Sequence, residues 1–194
     1  MNIAIYCGTS FGKNPIYKEK SIELINYLKK KNSKIVYGGS KVGLMGVISN
    51  HAISLGMDVY GVITYNLANK ELENTEITKL YKVNTIRERK AKMEELADSF
   101  IAMPGGFGTL EEITEIFTAM QINKVKKPCA LYNVNGYYDK FIDYLNFCEK
   151  EGFLLKEHID SIIVSDDIKY IYNSFENYTP PKDKWDILKS KELL

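Results

Sequence analysis

The sequence predicts an α/β fold, a Rossmann-like doubly wound parallel sheet with helices on both faces. Two observations carry this. Apolar runs of strand length alternate from end to end with amphipathic stretches of helix length, and three of the strand-to-helix junctions are rich in glycine. With 194 residues the chain is expected to form one domain, 1–194, large enough for a substantial core.

Each element follows from local pattern. "NIAIYC" reads as the first strand, followed by "GTSFGKN" and the helix "PIYKEKSIELINYLKKK", with Pro15 in its first turn. "SKIVYGG" is a second strand, and "VGLMGVISNHAISLG" a second helix closed by Gly56. "DVYGVIT" is a third strand, and the polar stretch "YNLANKELENTEIT" leads to a fourth, "KLYKV". The helix "IRERKAKMEELA", the strand "SFIAM", a helix after the glycines of "PGGFG" and the strand "PCALYNV" come next. The helix "YYDKFIDYLNFCEKEG", the strand "DSIIVS" and the helix "DDIKYIYNSFENY" precede a tail broken by Pro180 and Pro181.

Composition narrows the function. Hydrophobic residues make up 45% and charged residues 26%, with a net charge of +1, so no basic field points to nucleic acid. The first residues lack the cationic lead and long apolar run of a signal peptide, and no stretch reaches the length of a membrane span. Cys7, Cys129 and Cys148 lack the spacing of a disulfide framework or a zinc site, and neither His51 nor His158 has a partner at ligand spacing. A cytoplasmic protein without metal is expected. One bias is informative: of 26 basic residues 24 are Lys, and the two Arg are Arg87 and Arg89. Where arginine breaks that habit, a planar bidentate donor is indicated.

Ligands of such sheets bind where the carboxyl ends of strands meet their loops. "CGTSFG", "YGGSKVGLMG" and "MPGGFGT" are three glycine-bearing loops on that one rim, which suits a phosphate-bearing ligand. Neither common nucleotide signature is met. The third loop has Glu111 where a dinucleotide motif needs its last glycine, and Gly38 to Gly43 is followed by Leu44 rather than by Lys. The remaining physics is that of free N–H groups aimed by a helix N-terminus, with the Thr109 hydroxyl beside them. Thr109 and Glu112 also have the spacing of a capping box, which would close that helix with no ligand present. In the arginine helix, Ile86, Arg89, Met93 and Leu96 share the apolar face, whereas Arg87 and Lys90 lie opposite, and Thr85 with Glu88 forms a capping box. Arg89 therefore points inward and needs an anionic partner. Glu112, on the same rim, is the candidate, as a structural ion pair or as part of a site.

At these residues the chain resembles the LONELY GUY (LOG) proteins, the cytokinin riboside 5′-monophosphate phosphoribohydrolases formerly labelled lysine decarboxylases. "PGGFGTLEE" matches the family signature P-G-G-x-G-T-x-x-E, "YGGSKVGLMG" resembles Y-G-G-G-x-x-G-L-M-G with Ser40 in place of a glycine, and "IRERK" resembles M-H-x-R-K with Arg89 and Lys90 retained. "CGTSFG", "NVNGYYDKF" and "KEGF" extend the likeness over nearly the whole chain. The resemblance implies Arg89 and Glu112 as the catalytic pair. It further implies substrate contacts from Glu71, Lys90, Gly105, Gly106, Phe107, Gly108, Thr109, Leu110, Glu111 and Thr118. The implied reaction is hydrolysis of the N-glycosidic bond of a nucleoside 5′-monophosphate, with an adenine or N6-prenylated adenine base, to free base and ribose 5-phosphate. No cofactor is implied, and a homodimer is. Relatives of the fold that bind molybdenum cofactor without turnover supply the alternative, a non-catalytic carrier of a phosphorylated ligand. Lysine decarboxylation would need pyridoxal phosphate on a lysine, for which no motif is present.

Overall fold

In a computed structural model, which describes residues 1–68 and 72–192, seven parallel strands form one sheet. The first half of the chain supplies β1 (Asn2–Tyr6), α1 (Ile16–Lys30), β2 (Lys34–Tyr37), α2 (Gly43–Ser54), β3 (Val59–Thr64), the single turn α3 (Tyr65–Leu67), β4 (Lys79–Val83) and α4 (Ile86–Leu96). The second supplies β5 (Ser99–Ala102), α5 (Phe107–Gln121), β6 (Cys129–Tyr132), α6 (Asp139–Lys150), α7 (Lys156–Asp160), β7 (Ile163–Ser165), α8 (Ile168–Glu176) and α9 (Lys184–Ser190). The strand order is β4-β3-β2-β1-β5-β6-β7. The chain winds outward from β1 in one direction, returns, and winds outward through β5 in the other. Its switch point lies between β1 and β5, which pair through Ile3–Ser99 to Tyr6–Ala102.

The strands are apolar at consecutive positions because helices cover both faces. Ile3 and Ile5 of β1 face a core completed by Leu24, Ile25 and Leu28 of α1, Ile48 of α2 and Ile171 of α8. Ala4 and Tyr6 face the opposite core, with Met93 of α4 and Ile113 and Ile116 of α5. The doubly wound sheet expected from the alternation is the one observed.

Three local readings change. Pro15 stands one place before the first helical residue of α1 rather than within its first turn. The tail beyond Pro180 and Pro181 is not structureless: Asp183 accepts a hydrogen bond from the Trp185 N–H at 2.8 Å and starts α9, whose Ile187 is buried. A short α7 also forms before β7, anchored by the buried His158, whose Nε2 lies 3.2 Å from the Lys182 carbonyl oxygen. Among the described residues no helix is long and apolar enough to cross a membrane.

Candidate active site

The three glycine-bearing loops meet at Gly8. Its N–H donates to the Pro104 carbonyl at 3.0 Å, and its own carbonyl accepts from the Leu44 N–H at 3.1 Å, so the loops after β1, β2 and β5 are tied into one rim. Gly43, with φ +57, presses its Cα against the Thr9 backbone where a Cβ would overlap. The rim borders a cavity of about 400 Å³ at the switch point, lined among others by Thr9, Gly38, Ser40, Met45, Ile63, Leu72, Arg89 and Glu112.

Arg89 reaches that cavity because α4 begins at a fixed place. The Thr85 hydroxyl accepts from the Glu88 N–H at 3.1 Å, and the Glu88 carboxylate accepts from the Asn84 N–H at 2.9 Å. The guanidinium then crosses beneath the loops. Its Nε–H donates to the Val62 carbonyl at 2.9 Å and its Nη1–H to Glu112 Oε1 at 2.8 Å, with Nη2 3.5 Å from the Gly38 carbonyl. A side chain on Gly38 would collide with that Nη2 and with Met45 Sδ. Arg87 points to solvent, as its place on the helix requires. Ile86 does not join the apolar face: it is 43% exposed, because as the first helical residue it overhangs the rim.

Glu112 is only 8% exposed. Burial raises its carboxyl above the ordinary carboxylate range, and the Arg89 charge and hydrogen bond oppose that rise. The capping-box reading of Thr109 and Glu112 is not what forms. The N-cap is Gly106, so Thr109 lies in the first turn of α5, and Glu112 faces Arg89. That helix start has no side-chain cap. Among the described residues, the N–H groups of Gly106, Phe107, Gly108 and Thr109 have no hydrogen-bond partner. Four donors at a helix N-terminus that opens on a cavity make an anion site.

The glycines of that turn differ in purpose. A Cβ on Gly105 would strike Thr109 Oγ1 and come within 2.9 Å of the Gly8 nitrogen. At Gly106 and Gly108 a Cβ would meet nothing within 4 Å, so their bareness leaves room that the fold itself does not use. Cys7 also lines the cavity, but burial pushes its thiol up, so it remains protonated and is a poor nucleophile.

The structure thus brings together Arg89, Glu112, Gly106, Phe107, Gly108 and Thr109, with Gly105 directly behind them. Lys90, Leu110, Glu111 and Thr118 do not line this cavity. The Lys90 ammonium bridges Glu111 Oε1 at 2.7 Å and Glu115 on the outer face of α5. Leu110 is half-buried against the core. Thr118 donates to the Thr114 carbonyl at 2.9 Å and borders a separate apolar cavity of about 160 Å³ beside Leu145 and His158. Glu71 lies outside the described residues. Sequence reasoning missed Met45, Ile63, Leu67 and Leu72, apolar residues of the cavity wall that look like any core residue in one dimension. Among the described residues no lysine lines the cavity.

A doubly wound sheet, an uncapped helix N-terminus at its switch point and a buried carboxylate–guanidinium pair on one cavity define an α/β protein whose candidate site lies at the switch point. Comparison with known proteins narrows this class. A family model described as "Possible lysine decarboxylase" matches residues 45–175. The cytokinin riboside 5′-monophosphate phosphoribohydrolase LOG7 of Arabidopsis thaliana is 38% identical over 94% of this chain and 84% of its own length. The phosphoribohydrolase LOG of Oryza sativa subsp. japonica is 36% identical over 92% and 74%, respectively. The chain belongs to the LOG family. At the level of fold alone it is also similar to the molybdenum cofactor carrier protein of Chlamydomonas reinhardtii, with a TM-score of 0.67, 15% identity and coverage of 91% and 96% of the two chains. The molybdenum cofactor binding protein of Rippkaea orientalis gives a TM-score of 0.65 at 14% identity, covering 91% and 95%.

The unused room at Gly108 yields a test. Gly108→Ala is expected to leave the melting temperature unchanged or raise it, since alanine favours a helix by up to about 1 kcal/mol over glycine. The same change is expected to weaken binding of a phosphate monoester severalfold, measured by calorimetry with ribose 5-phosphate.

Proposed function

We propose that this protein hydrolyses the N-glycosidic bond of a nucleoside 5′-monophosphate of the adenine or N6-prenylated adenine type, releasing the free base and ribose 5-phosphate. The carrying observation is the buried Glu112–Arg89 pair, 2.8 Å apart, on the cavity into which the free N–H groups of α5 open. In this reading the 5′-phosphate sits on the N–H groups of Gly106 to Thr109, and binding energy spent there orients C1′ at Glu112. As the bond from C1′ to the base nitrogen breaks, its electron pair leaves with the base and positive charge develops on the sugar. The Glu112 carboxylate stabilises that charge and takes a proton from the attacking water, whose oxygen bonds to C1′. The departing base nitrogen takes up a proton from solvent, so that water is added across the broken bond. Arg89 fixes the carboxylate by a hydrogen bond and lowers the cost of its burial. No cofactor takes part, and the carrier reading fits less well, because a passive site has no need of a buried carboxyl held by an arginine on the cavity wall.

The partner is a small molecule, with no role for nucleic acid or membrane, and the three free cysteines suit a cytoplasmic location. Thr118 lies nine residues beyond Thr109, roughly 13 Å along a helix. Its implied contact with substrate, like those of Lys90 and Glu111, requires a second copy laid across α5. On and after α6, whose Leu145 shares the Thr118 cavity, Tyr144, Phe147 and Phe153 are 59%, 55% and 78% exposed, apolar surface of the kind such a homodimer would cover. Light scattering is expected to give twice 22.2 kDa; a fully active monomer would exclude the arrangement.

Incubation with AMP or isopentenyladenosine monophosphate, followed by chromatography, is expected to release free base, and adenosine is expected to react far more slowly. Equal turnover of adenosine and AMP would remove the phosphate anchor.

Glu112→Gln is expected to fold normally and to lose about a hundredfold or more in turnover. Glu111→Gln and Arg87→Lys are expected to cost little, whereas Arg89→Lys is severe because a lysine cannot span three acceptors. Because burial raises the Glu112 carboxyl, the acid limb of the rate profile is expected above the ordinary carboxylate value of 4.5, with activity lost as pH falls through it. The linkage to stability has the opposite sense. Between 4.5 and the raised value the folded chain holds this proton more tightly than the unfolded chain, so stability from this group declines as pH rises through that window.

A further inference from the structure

The segment "NGYYDKF" is part of the family likeness but has no role in the chemistry above. In the structure its two tyrosines reach back to the turn before α5. The Tyr138 hydroxyl, buried, donates to the Met103 carbonyl at 2.7 Å. The Tyr137 hydroxyl donates to the Gly105 carbonyl at 2.5 Å. The Tyr137 ring is 41% exposed and is held edge-on against Tyr17 at 5.8 Å and Tyr138 at 5.1 Å. It walls a small cavity of about 210 Å³ behind the turn, which shares Gly8 and Gly106 with the main one.

Gly105 and Gly106 flank the one peptide plane in this turn that can rotate cheaply. A flip of that plane changes only ψ of the first residue and φ of the second, and glycine tolerates the outcome on either side. A Cβ on Gly106 would meet nothing, so packing there does not oppose rotation. In a trans peptide the carbonyl and the N–H point in opposite directions. A flip would therefore replace the Gly106 N–H, the first of the four free donors, by a carbonyl oxygen. That exchange turns an attraction for an anion into a repulsion.

We propose that Tyr137 is a positioning residue that latches the Gly105–Gly106 peptide by its hydroxyl, holding the Gly105 carbonyl outward and the Gly106 N–H toward the anion. Tyr138 fixes the base of the same turn at Met103 and serves its stability. The proposal rests on the reading of this turn as a phosphate site, but not on the reaction assigned to it.

The test compares Tyr137→Phe with Tyr138→Phe in the full chain, using ribose 5-phosphate as the calorimetric probe and adenine as a probe of the rest of the cavity. Tyr137→Phe keeps both ring contacts and loses only the donor. It is expected to keep its melting temperature and its adenine affinity while ribose 5-phosphate binds about three- to tenfold more weakly, the effect of one hydrogen bond. If AMP is turned over, KM rises by a similar factor and kcat changes little. Tyr138→Phe is expected to lower the melting temperature and leave ribose 5-phosphate affinity nearly unchanged in the folded protein. Unaltered ribose 5-phosphate binding by Tyr137→Phe overturns the latch, as does an equal loss for adenine, which would mark a general structural effect. Failure of the wild-type protein to bind ribose 5-phosphate overturns the phosphate site itself. Binding without hydrolysis of AMP would overturn only the reaction.

Discussion

The ion pair between Arg89 and Glu112 is the constraint around which the rim of the sheet is built. Its side chains are 13% and 9% exposed. A charge pair so placed is tolerated only when its remaining donors are also met, because desolvation of each ion costs several kcal/mol. That requirement reaches across the fold. The end of β3 supplies the Val62 carbonyl, the loop after β2 must be bare at Gly38, and α4 must begin at Thr85 for the guanidinium to arrive at the right height. β3, the loop after β2 and the two helices α4 and α5 are thereby tied together by one side chain. A purely structural pair would hardly leave its carboxylate open to a cavity. Glu112 accepts a hydrogen bond from Arg89 through one oxygen and lines the cavity with its carboxyl group.

Much of this architecture was legible in one dimension. Apolar runs such as Ile3 to Tyr6 can only be strands covered on both sides, and the alternation of strand and helix fixes a parallel sheet and the edge on which its loops gather. The inward turn of Arg89 followed from its four- and seven-residue spacings to Met93 and Leu96 through helical periodicity. What failed were inferences in which one local signal had two solutions. Thr109 and Glu112 have the spacing of a cap, but the backbone enters the helix three residues earlier, at Gly106, which leaves Thr109 inside the first turn and turns Glu112 to Arg89. Ile86 has the right spacing for the core and no element above it to make one. α7 and α9 are too short to show a period; α7 is tied down by the His158 ring against the Lys182 carbonyl, and α9 starts at the Asp183 carboxylate. Residues such as Ile63 and Leu72 carried no signal, since being apolar next to a cavity and being apolar in a core look the same in sequence.

The charge balance of the cavity explains why backbone geometry counts for so much there. Among the described residues Arg89 is the cation that lines it, and Glu112 already neutralises that charge. What remains to attract an anion is the partial positive charge of an uncapped helix end, about half an elementary charge spread over its free N–H groups. Such a site recognises direction more than charge. A lysine ammonium would follow a misplaced phosphate on its flexible stem, whereas a peptide N–H is aimed wherever the chain aims it. In the proposed function, selectivity for a phosphate held at one distance from Glu112 depends on the turn keeping a single conformation, and two adjacent glycines work against that. The hydroxyl contacts to Met103 and Gly105 from the start of α6, together with the packing of Gly105 on Gly8, supply the rigidity that the glycines remove. The turn is open at Gly106 and Gly108 and pinned at Gly105 by Gly8 and the Tyr137 hydroxyl, and on that division the proposed phosphate site relies to keep one geometry beside Glu112 without a charged side chain of its own.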